Sequence, residues 1–274
     1  MNKIGALLPV RPETNIDVEF KKMRDIGCEC CQITVWDMSL YTDENAEALN
    51  KASKEYGVEI STLWTGWSGP KVWNFVDGPE VLGIVPPAYR MKRTEDILLG
   101  ADFAVKIGVS RIATHVGFMP ETISDPNYYG VIAALRYIAK ECQARGLSLL
   151  FETGQETPTT LLRAIEDIGY DNVGINLDTA NLILYGKANT ADAVTVFGKY
   201  VMDTHIKDGN YPTCGKLLGK QVKVGEGVAN LPEVIKRLRE VGYTGNYIIE
   251  REISGDQQTK DIKDTIAYLK TILN

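Results

Sequence analysis

The chain repeats one structural unit, in which a helical stretch ends at a glycine and a short β-branched run follows. Glycine suits this junction because it adopts the left-handed conformation that closes a helix without the steric cost of a Cβ atom. The glycines at these junctions are Gly27, Gly57, Gly108, Gly146, Gly169 and Gly242. Together with the strand-like KIGALLPV at the start and TVFGKYVMDTHI before the last unit, the pattern predicts eight strands that alternate with helices.

Strict alternation of strands and helices predicts parallel strands joined by right-handed crossovers. Eight such units in 274 residues match a closed (β/α)₈ barrel, so we predict a single TIM barrel domain over residues 1–274. The alternative is an open, doubly wound sheet, which usually carries a glycine-rich phosphate loop. The segment GEGVAN lacks the third glycine of that motif and opens no helical pattern. The barrel is therefore favoured.

One connection in this pattern is much longer than the others. Residues 66–94 separate the third strand from the next helix, whereas roughly two to six residues are typical of such loops. The segment lies on the side of the barrel where strands end, which is the side that carries active sites in this fold. We predict a lid or a binding loop.

The charge and hydropathy of the chain exclude two classes of partner. The net charge is −6 and the pI is near 5.2, with Lys and Arg scattered along the sequence, which argues against nucleic acid. No apolar run approaches the roughly 18 residues of a membrane span, and the first residues lack the pattern of a signal peptide. We expect a cytoplasmic protein that binds a small molecule, with neither nucleic acid nor a membrane as partner.

Four consecutive predicted strands end in a side chain that can bind a metal. These are Glu152 after the fifth strand, Asp178 after the sixth, His205 after the seventh and Glu250 after the eighth. The ends of barrel strands converge on one face, and a carboxylate that follows an apolar strand is costly to bury unless it is paired or coordinated. Taken singly, Glu152 or Asp178 could be a buried salt-bridge partner, and His205 could be a core histidine. The four in register predict a metal site.

The ligand types indicate which ion this site prefers. Three carboxylates and one imidazole form an oxygen-rich set that suits Mn²⁺ or Mg²⁺, and Co²⁺ is an acceptable substitute. Zn²⁺ fits less well because it favours nitrogen and sulfur ligands. We expect one divalent ion, with Mn²⁺ favoured.

Five segments of the chain resemble one known superfamily. In order they are FETGQETP, GINLDTANLILYG, HIKDG, VGEGVANLPEVI and GYTGNYIIERE. They resemble the sugar phosphate isomerase/epimerase superfamily of xylose isomerase-like TIM barrels, which includes D-tagatose 3-epimerase, hydroxypyruvate isomerase and inosose dehydratase. The resemblance covers nearly the whole chain and is sharpest from residue 110 onward.

The resemblance implies a single divalent metal, usually Mn²⁺, held by Glu152, Asp178, His205 and Glu250. In the epimerases of this superfamily the residues that match Glu152 and Glu250 also act as acid and base. Dimers and tetramers are common among its members, so a homo-oligomer is one expectation for this chain. Two positions depart from the epimerase pattern, because Asn181 replaces a histidine and Lys207 replaces an arginine. The resemblance therefore indicates the family more firmly than the epimerase activity.

Four polar residues near the predicted metal are candidate substrate contacts, namely His115, Lys207, Glu156 and Asn181. His115 follows the fourth strand and could move a proton or bond a sugar oxygen, or it could bond a neighbouring loop. Lys207 shares a strand face with His205 and could hold a sugar oxygen or a developing enolate, or be a solvated lysine. Glu156 could accept a sugar hydroxyl, or stabilise the first turn of a helix through its dipole.

The four tryptophans, Trp36, Trp64, Trp67 and Trp73, all fall at the ends of the second and third strands or in the long loop. Flat rings suit the apolar faces of a sugar, and this clustering at the predicted rim fits random core filling poorly. We predict that Trp64 and Trp67 contact the substrate, although Trp36 and Trp64 could also be core residues.

These observations favour a metal-dependent sugar isomerase or epimerase that acts on a keto sugar or a related polyol ketone. A metal chelated by a carbonyl and an adjacent hydroxyl oxygen eases removal of the proton between them, and two carboxylates can take and return that proton. The alternative is a lyase or dehydratase that eliminates a β-hydroxyl or an alkoxide from a keto sugar or keto inositol after the same deprotonation. A sugar sensor without catalysis is the alternative from another class.

Overall fold

A closed barrel of parallel strands forms the centre of the molecule. The computed structural model describes residues 2–273, so the predicted domain limits, residues 1 and 274, lie just outside it. Each barrel strand pairs with the next along the chain, and the last pairs with the first, as predicted for a single (β/α)₈ domain. The barrel strands are β1 (Ile4–Val10), β2 (Cys30–Val35), β3 (Glu59–Thr65), β4 (Arg111–Thr114), β5 (Ser148–Glu152), β6 (Val173–Asp178), β7 (Val201–Ile206) and β10 (Tyr247–Ile249).

Helices surround the barrel, and the longer ones bury one face each. In helix α9 (Leu231–Glu240), the buried residues are Leu231, Val234, Ile235 and Leu238, which is the spacing of an apolar stripe on a helix. All six glycines predicted to close helices have positive φ angles. The helices are α1 (Ile16–Asp25), α2 (Asp43–Tyr56), α3 (Gly78–Val81), α4 (Pro87–Lys106), α5 (Tyr128–Ala144), α6 (Pro158–Ile168), α7 (Asn181–Leu184), α8 (Thr190–Phe197), α9 (Leu231–Glu240) and α10 (Asp256–Leu273). None of these described helices has the length and apolar character needed to cross a membrane.

The interior of the barrel holds a layer of polar side chains. Gln32 on β2 donates from Nε2 to Oδ1 of Asn176 on β6 at 2.8 Å, and Thr62 on β3 donates to Asp203 on β7 at 2.7 Å. Since these strand pairs are not neighbours in the sheet, both contacts cross the barrel. All four side chains are fully buried.

The long connection after β3 is shorter and better anchored than the sequence predicted. Helix α4 begins at Pro87, which suits the first helical position because its missing N–H would have no partner there, so the connection covers residues 66–86. The buried guanidinium of Arg93 on α4 donates to four carbonyl oxygens of this connection. They are those of Ser68 (3.0 Å), Pro70 (3.0 Å), Val81 (2.6 Å) and Gly83 (2.5 Å). The connection is a fixed wall of the barrel mouth.

Two of the sequence motifs, HIKDG and VGEGVAN, are tied together by one carboxylate. Asp208 begins a two-stranded antiparallel sheet of β8 (Asp208–Asn210) and β9 (Lys220–Val222). Its side chain accepts from the backbone N–H groups of Gly225 (2.9 Å), Gly227 (3.0 Å) and Ala229 (3.0 Å). A Cβ atom at Gly227 would lie 2.2 Å from Oδ1 of Asp208, so this position requires glycine.

Candidate metal centre and substrate cavity

The four predicted ligands converge at the carboxyl ends of their strands. Glu152 is the last residue of β5 and Asp178 the last of β6, whereas His205 lies one residue before the end of β7 and Glu250 directly follows β10. One ligand atom from each side chain lies within 4.8 Å of the other three. Three of the side chains are buried, and that of Glu250 is 13% exposed. The arrangement is compact enough to surround a single ion.

The ring of His205 presents one nitrogen to all three acids. Its Nδ1 atom lies 3.1 Å from Oε1 of Glu152, 3.2 Å from Oε2 of Glu250 and 4.0 Å from Oδ2 of Asp178. Its Nε2 atom lies 2.8 Å from Oε1 of Gln32. The imidazole would therefore bind an ion through Nδ1.

The side chain of Asp178 tests whether a cation fits this site. Its Oδ1 atom accepts the backbone N–H groups of Ala180 and Asn181, both at 2.7 Å, whereas its buried Oδ2 atom has no hydrogen-bond donor. A buried carboxylate oxygen without a donor is costly unless a cation lies beside it. The Nζ atom of Lys207 lies 3.6 Å from Oδ2, which is an ion-pair distance but too long for a hydrogen bond. The unpartnered oxygen and the oxygen-rich set of ligands fit a divalent ion such as Mn²⁺ or Mg²⁺.

Neighbouring basic side chains decide which acids stay ionised in this cluster. Burial raises the pKa of Asp178 well above its usual range. Burial acts in the same direction on Glu250, but the Lys207 ammonium and the His205 ring outweigh it and hold the pKa of Glu250 well below its usual value. For Glu152, His115 and His205 likewise outweigh burial and lower the pKa. The centre thus keeps negative charge on Glu152 and Glu250, which favours cation binding.

Lys207 and Asn181, the two departures from the epimerase pattern, connect the two glutamates. Lys207 is buried, and its Nζ atom lies 2.8 Å from Oε1 of Glu252, 3.2 Å from Oε2 of Glu250 and 3.2 Å from Oδ1 of Asn181. Asn181 in turn donates to Oε1 of Glu152 at 3.2 Å. Lys207 is therefore part of the cavity wall and not a solvated surface lysine.

His115 and Trp64 both face the second oxygen of Glu152. The indole N–H of Trp64 donates to Oε2 of Glu152, and Nε2 of His115 lies 3.7 Å from the same oxygen. The two rings meet edge to face, with centroids 5.6 Å apart. Burial lowers the pKa of His115, which favours a neutral ring that can either accept or donate a proton.

A cavity of about 960 Å³ opens above the candidate metal centre. Its walls include His115, Lys207, Trp64 and Asn181, four of the six predicted substrate contacts. Sequence analysis missed Arg11 and Lys71, which also line it. The signal for Lys71 was its place between two tryptophans of the long connection, and its ammonium lies 4.8 Å from the ring centroid of Trp36. The other aromatic side chains in the walls are Trp36, Trp73 and Tyr185.

The structure corrects the predicted positions of Trp67 and Glu156, which do not line this cavity. Trp67 is fully buried, because the guanidinium of Arg93 covers its ring at 3.9 Å from the centroid. Glu156 is also buried, and its Oε1 atom has no hydrogen-bond partner among the described residues. Burial raises the pKa of Glu156 to about 8, so this side chain favours the neutral acid at neutral pH.

Comparisons with known proteins agree with this architecture. The profile of the xylose isomerase-like TIM barrel family matches residues 20–272, so the chain belongs to that family. A solved structure of a xylose isomerase domain protein from Planctomyces limnophilus shares 30% identity with this chain. The superposition covers 99% of this chain and 97% of that chain, with a TM-score of 0.92.

Two further relatives are more distant. The structure of 3-keto-D-glucoside 4-epimerase from E. coli shares the fold at 19% identity and a TM-score of 0.72, with 99% of this chain and 100% of that chain covered. An uncharacterized protein of Methanocaldococcus jannaschii, MJ1311, is 29% identical over 175 residues, or 57% of this chain. The matched region spans about half, 52%, of that protein's length.

Proposed function

We propose that this chain is a divalent-metal-dependent sugar isomerase or epimerase that acts on a keto sugar or a related polyol ketone. The observation that carries the proposal is the convergence of Glu152, Asp178, His205 and Glu250 from four consecutive barrel strands beneath a cavity of about 960 Å³. Family membership supports it, as does the shared fold of a neighbour described as a 3-keto-D-glucoside 4-epimerase.

These four side chains would hold one divalent ion. Mn²⁺ is the favoured ion, Mg²⁺ and Co²⁺ suit the same oxygen-rich ligands, and Zn²⁺ suits them less. When bound, the ion would act as a Lewis acid that lowers the cost of removing a proton beside a carbonyl group.

Glu152 and Glu250 would move that proton. They belong to strands β5 and β10, which are three positions apart around the barrel, so they approach a ligand in the cavity from different directions. One carboxylate would remove the carbon-bound proton, and the same one or the other would return it. Return to the opposite face gives an epimer, whereas return to the neighbouring carbon gives an isomer.

The surrounding residues would orient the sugar and assist proton transfer. The Lys207 ammonium and the Asn181 amide lie beside Glu250 and Glu152 and can bond oxygens of the ligand. His115, 3.7 Å from Glu152, can receive the proton from that carboxylate and return it. The rings of Trp36, Trp64 and Trp73 offer flat apolar surface to one face of the sugar.

The size of the cavity favours a second candidate, a lyase acting on a keto sugar that carries a further group. Pockets that hold drug-sized ligands measure roughly 300–1,000 Å³, so about 960 Å³ is more than a free sugar needs. After the same deprotonation, departure of an alkoxide from the β-carbon would give an enone and an alcohol. Proton transfer by Glu152 or Glu250 is the first step in both candidates.

A substrate screen separates the two candidates. Mn²⁺-loaded protein would be incubated with free keto sugars and with matched keto glycosides. Isomerase or epimerase activity would give a new sugar of unchanged mass, whereas lyase activity would give a released alcohol and enone absorbance. If sugars bind but none is converted or exchanges a proton with solvent, both candidate activities are contradicted and a sugar sensor is favoured.

A further inference from the structure

The second nitrogen of His205 has a specific partner on the far side of the barrel. Its Nε2 atom lies 2.8 Å from Oε1 of Gln32, which extends from β2 and is fully buried. The three carboxylates of the candidate centre all face Nδ1, the other nitrogen of the ring. The orientation of the Gln32 amide therefore decides which ring nitrogen carries the proton when the ring is neutral.

The neighbours of Gln32 favour one orientation of its amide. Its amide nitrogen donates to Oδ1 of Asn176 at 2.8 Å, and Gln32 also lies close enough to Asp203 to oppose the rise that burial causes in the pKa of that acid. Asp203 lies at the end of this chain of contacts, where it accepts from the hydroxyls of Ser61 (3.1 Å) and Thr62 (2.7 Å). With its NH₂ group on the side of Asn176, Gln32 turns its carbonyl oxygen towards His205. That oxygen can only accept a hydrogen bond.

We propose that Gln32 is a positioning residue for the metal centre, whose carbonyl oxygen accepts the Nε2 proton of His205 and so presents Nδ1 to the ion. Metal-binding histidines commonly donate their other N–H to a carboxylate or a backbone carbonyl, which fixes the tautomer. Here a side-chain amide from a non-adjacent strand does so. It adds no charge to a centre that already contains three carboxylates. The inference rests on the proposed metal site and does not depend on the proposed reaction.

Nuclear magnetic resonance tests the tautomer directly, because the chain contains only two histidines, His115 and His205. Protein labelled with ¹⁵N-histidine would be loaded with Zn²⁺ as a diamagnetic probe and recorded in long-range ¹H–¹⁵N correlation spectra, with His115→Gln used for assignment. We expect His205 to carry its proton on Nε2 in the loaded protein. A proton on Nδ1, with Nε2 bound to the ion, would overturn the proposal. This measurement needs no substitution at Gln32.

Metal affinity provides the second test. Methionine at position 32 keeps the length of the side chain but removes the acceptor, so Gln32→Met should weaken Mn²⁺ binding by about 10- to 100-fold, measured by competition with a chromogenic chelator. The matched control is Gln155→Met, because Gln155 is equally buried but donates to the hydroxyl of Tyr185 at 3.0 Å. The control should bind Mn²⁺ as the wild type does. Unchanged affinity in folded Gln32→Met, or an equal loss in both variants, would refute the role of Gln32.

Discussion

Glu152 and Glu250 contact the same nitrogen of His205 but differ in their other neighbours. Glu152 is enclosed by Trp64, Asn181 and His115. Glu250 lies against Lys207 and is partly open to the cavity. These surroundings suit two different proton-transfer roles, because one acid has a neighbouring imidazole and the other a neighbouring ammonium.

Under the proposed mechanism, replacing either glutamate should slow the reaction strongly while the site can still bind the ion. Glu152→Gln and Glu250→Gln each keep an oxygen for the metal, and we expect turnover to fall by about 100-fold or more while part of the metal affinity remains. Turnover and metal content would be measured on the same preparations. Glu166→Gln, an exposed change on helix α6, is the control and should leave both values unchanged. Full turnover in both active-site variants would contradict the proposed roles.

The buried acid Glu156 predicts a pH dependence of stability. Its pKa is raised to about 8 in the folded protein by burial, whereas an unfolded glutamate titrates near 4.5. The folded state therefore holds the proton more tightly, so this residue's contribution to stability is complete below pH ~4.5 and is lost as pH rises towards ~8. Urea unfolding at pH 5 and at pH 8.5 measures this loss. From the lower to the higher pH, the free energy of unfolding should fall less in Glu156→Gln than in the wild type.

The exposed variant Glu166→Gln again serves as the control and should show the wild-type difference. If Glu156→Gln and the wild type lose the same free energy of unfolding between pH 5 and pH 8.5, Glu156 is not the titrating group.

Sequence patterns identify the residues at strand ends better than those inside the barrel. Glu152, Asp178 and His205 could be placed together because alternating strands and helices fix where each strand ends. Gln32 could not be linked to His205, because that contact depends on how the barrel closes between non-adjacent strands. The sequence also cannot show that Trp67 is covered, because Arg93, which stacks on its ring, lies 26 residues further along the chain.

At the scale of elements, the connection over residues 66–86 is built into the mouth of the barrel by helix α4. Arg93 binds its carbonyl oxygens, and Asp96 on the same helix accepts from the backbone N–H and hydroxyl of Ser68. The connection carries Lys71 and Trp73 to the cavity wall. That it is unusually long was evident from the sequence, but its end at Pro86 and its anchoring were not, because the anchoring residues belong to the next helix.

Loss of this anchor should affect both stability and substrate binding. Arg93→Met leaves several buried carbonyl oxygens without donors, each worth about 1–3 kcal/mol, so we expect destabilisation of at least about 2 kcal/mol. We also expect a higher KM and faster proteolysis within residues 66–86, since Lys71 and Trp73 lose their support. Urea unfolding, steady-state kinetics and limited proteolysis would measure these effects. Lys51→Met, an exposed change on helix α2, is the control, and equal behaviour of the two variants would contradict the anchoring role.

At the scale of the whole molecule, the candidate metal centre joins four consecutive strands of one closed barrel, so binding of the proposed ion and folding should be coupled. An ion that binds only the folded state at 100 times its Kd adds about 2.7 kcal/mol to the free energy of unfolding. Addition of Mn²⁺ to chelator-treated protein should therefore raise the Tm by several degrees, and His205→Ala should lose most of that gain. An equal rise in the wild type and in His205→Ala would show that Mn²⁺ binds elsewhere.

The (β/α)₈ architecture was predictable in outline, because helix-closing glycines such as Gly57 and Gly169 and the β-branched runs after them mark each unit. The substrate was not predictable, because the cavity is assembled from loops whose conformations depend on distant contacts. Arg11 after β1 and Lys71 after β3, for example, line one cavity, and of the two only Lys71, between two tryptophans, has a sequence context that hints at it.

The central claim is that a carboxylate removes and returns a carbon-bound proton, and turnover in heavy water tests it most directly. A carboxyl proton exchanges with solvent, so product formed by Mn²⁺-loaded protein in D₂O should carry deuterium on the carbon beside the carbonyl. Mass spectrometry and proton resonance spectra of the product would locate the label, once the screen has supplied a substrate. Deuterium at that carbon in the wild type, together with lost turnover in Glu152→Gln and Glu250→Gln, is the predicted result. Product without solvent deuterium, formed at full rate by both variants, would contradict it and indicate an internal hydride shift.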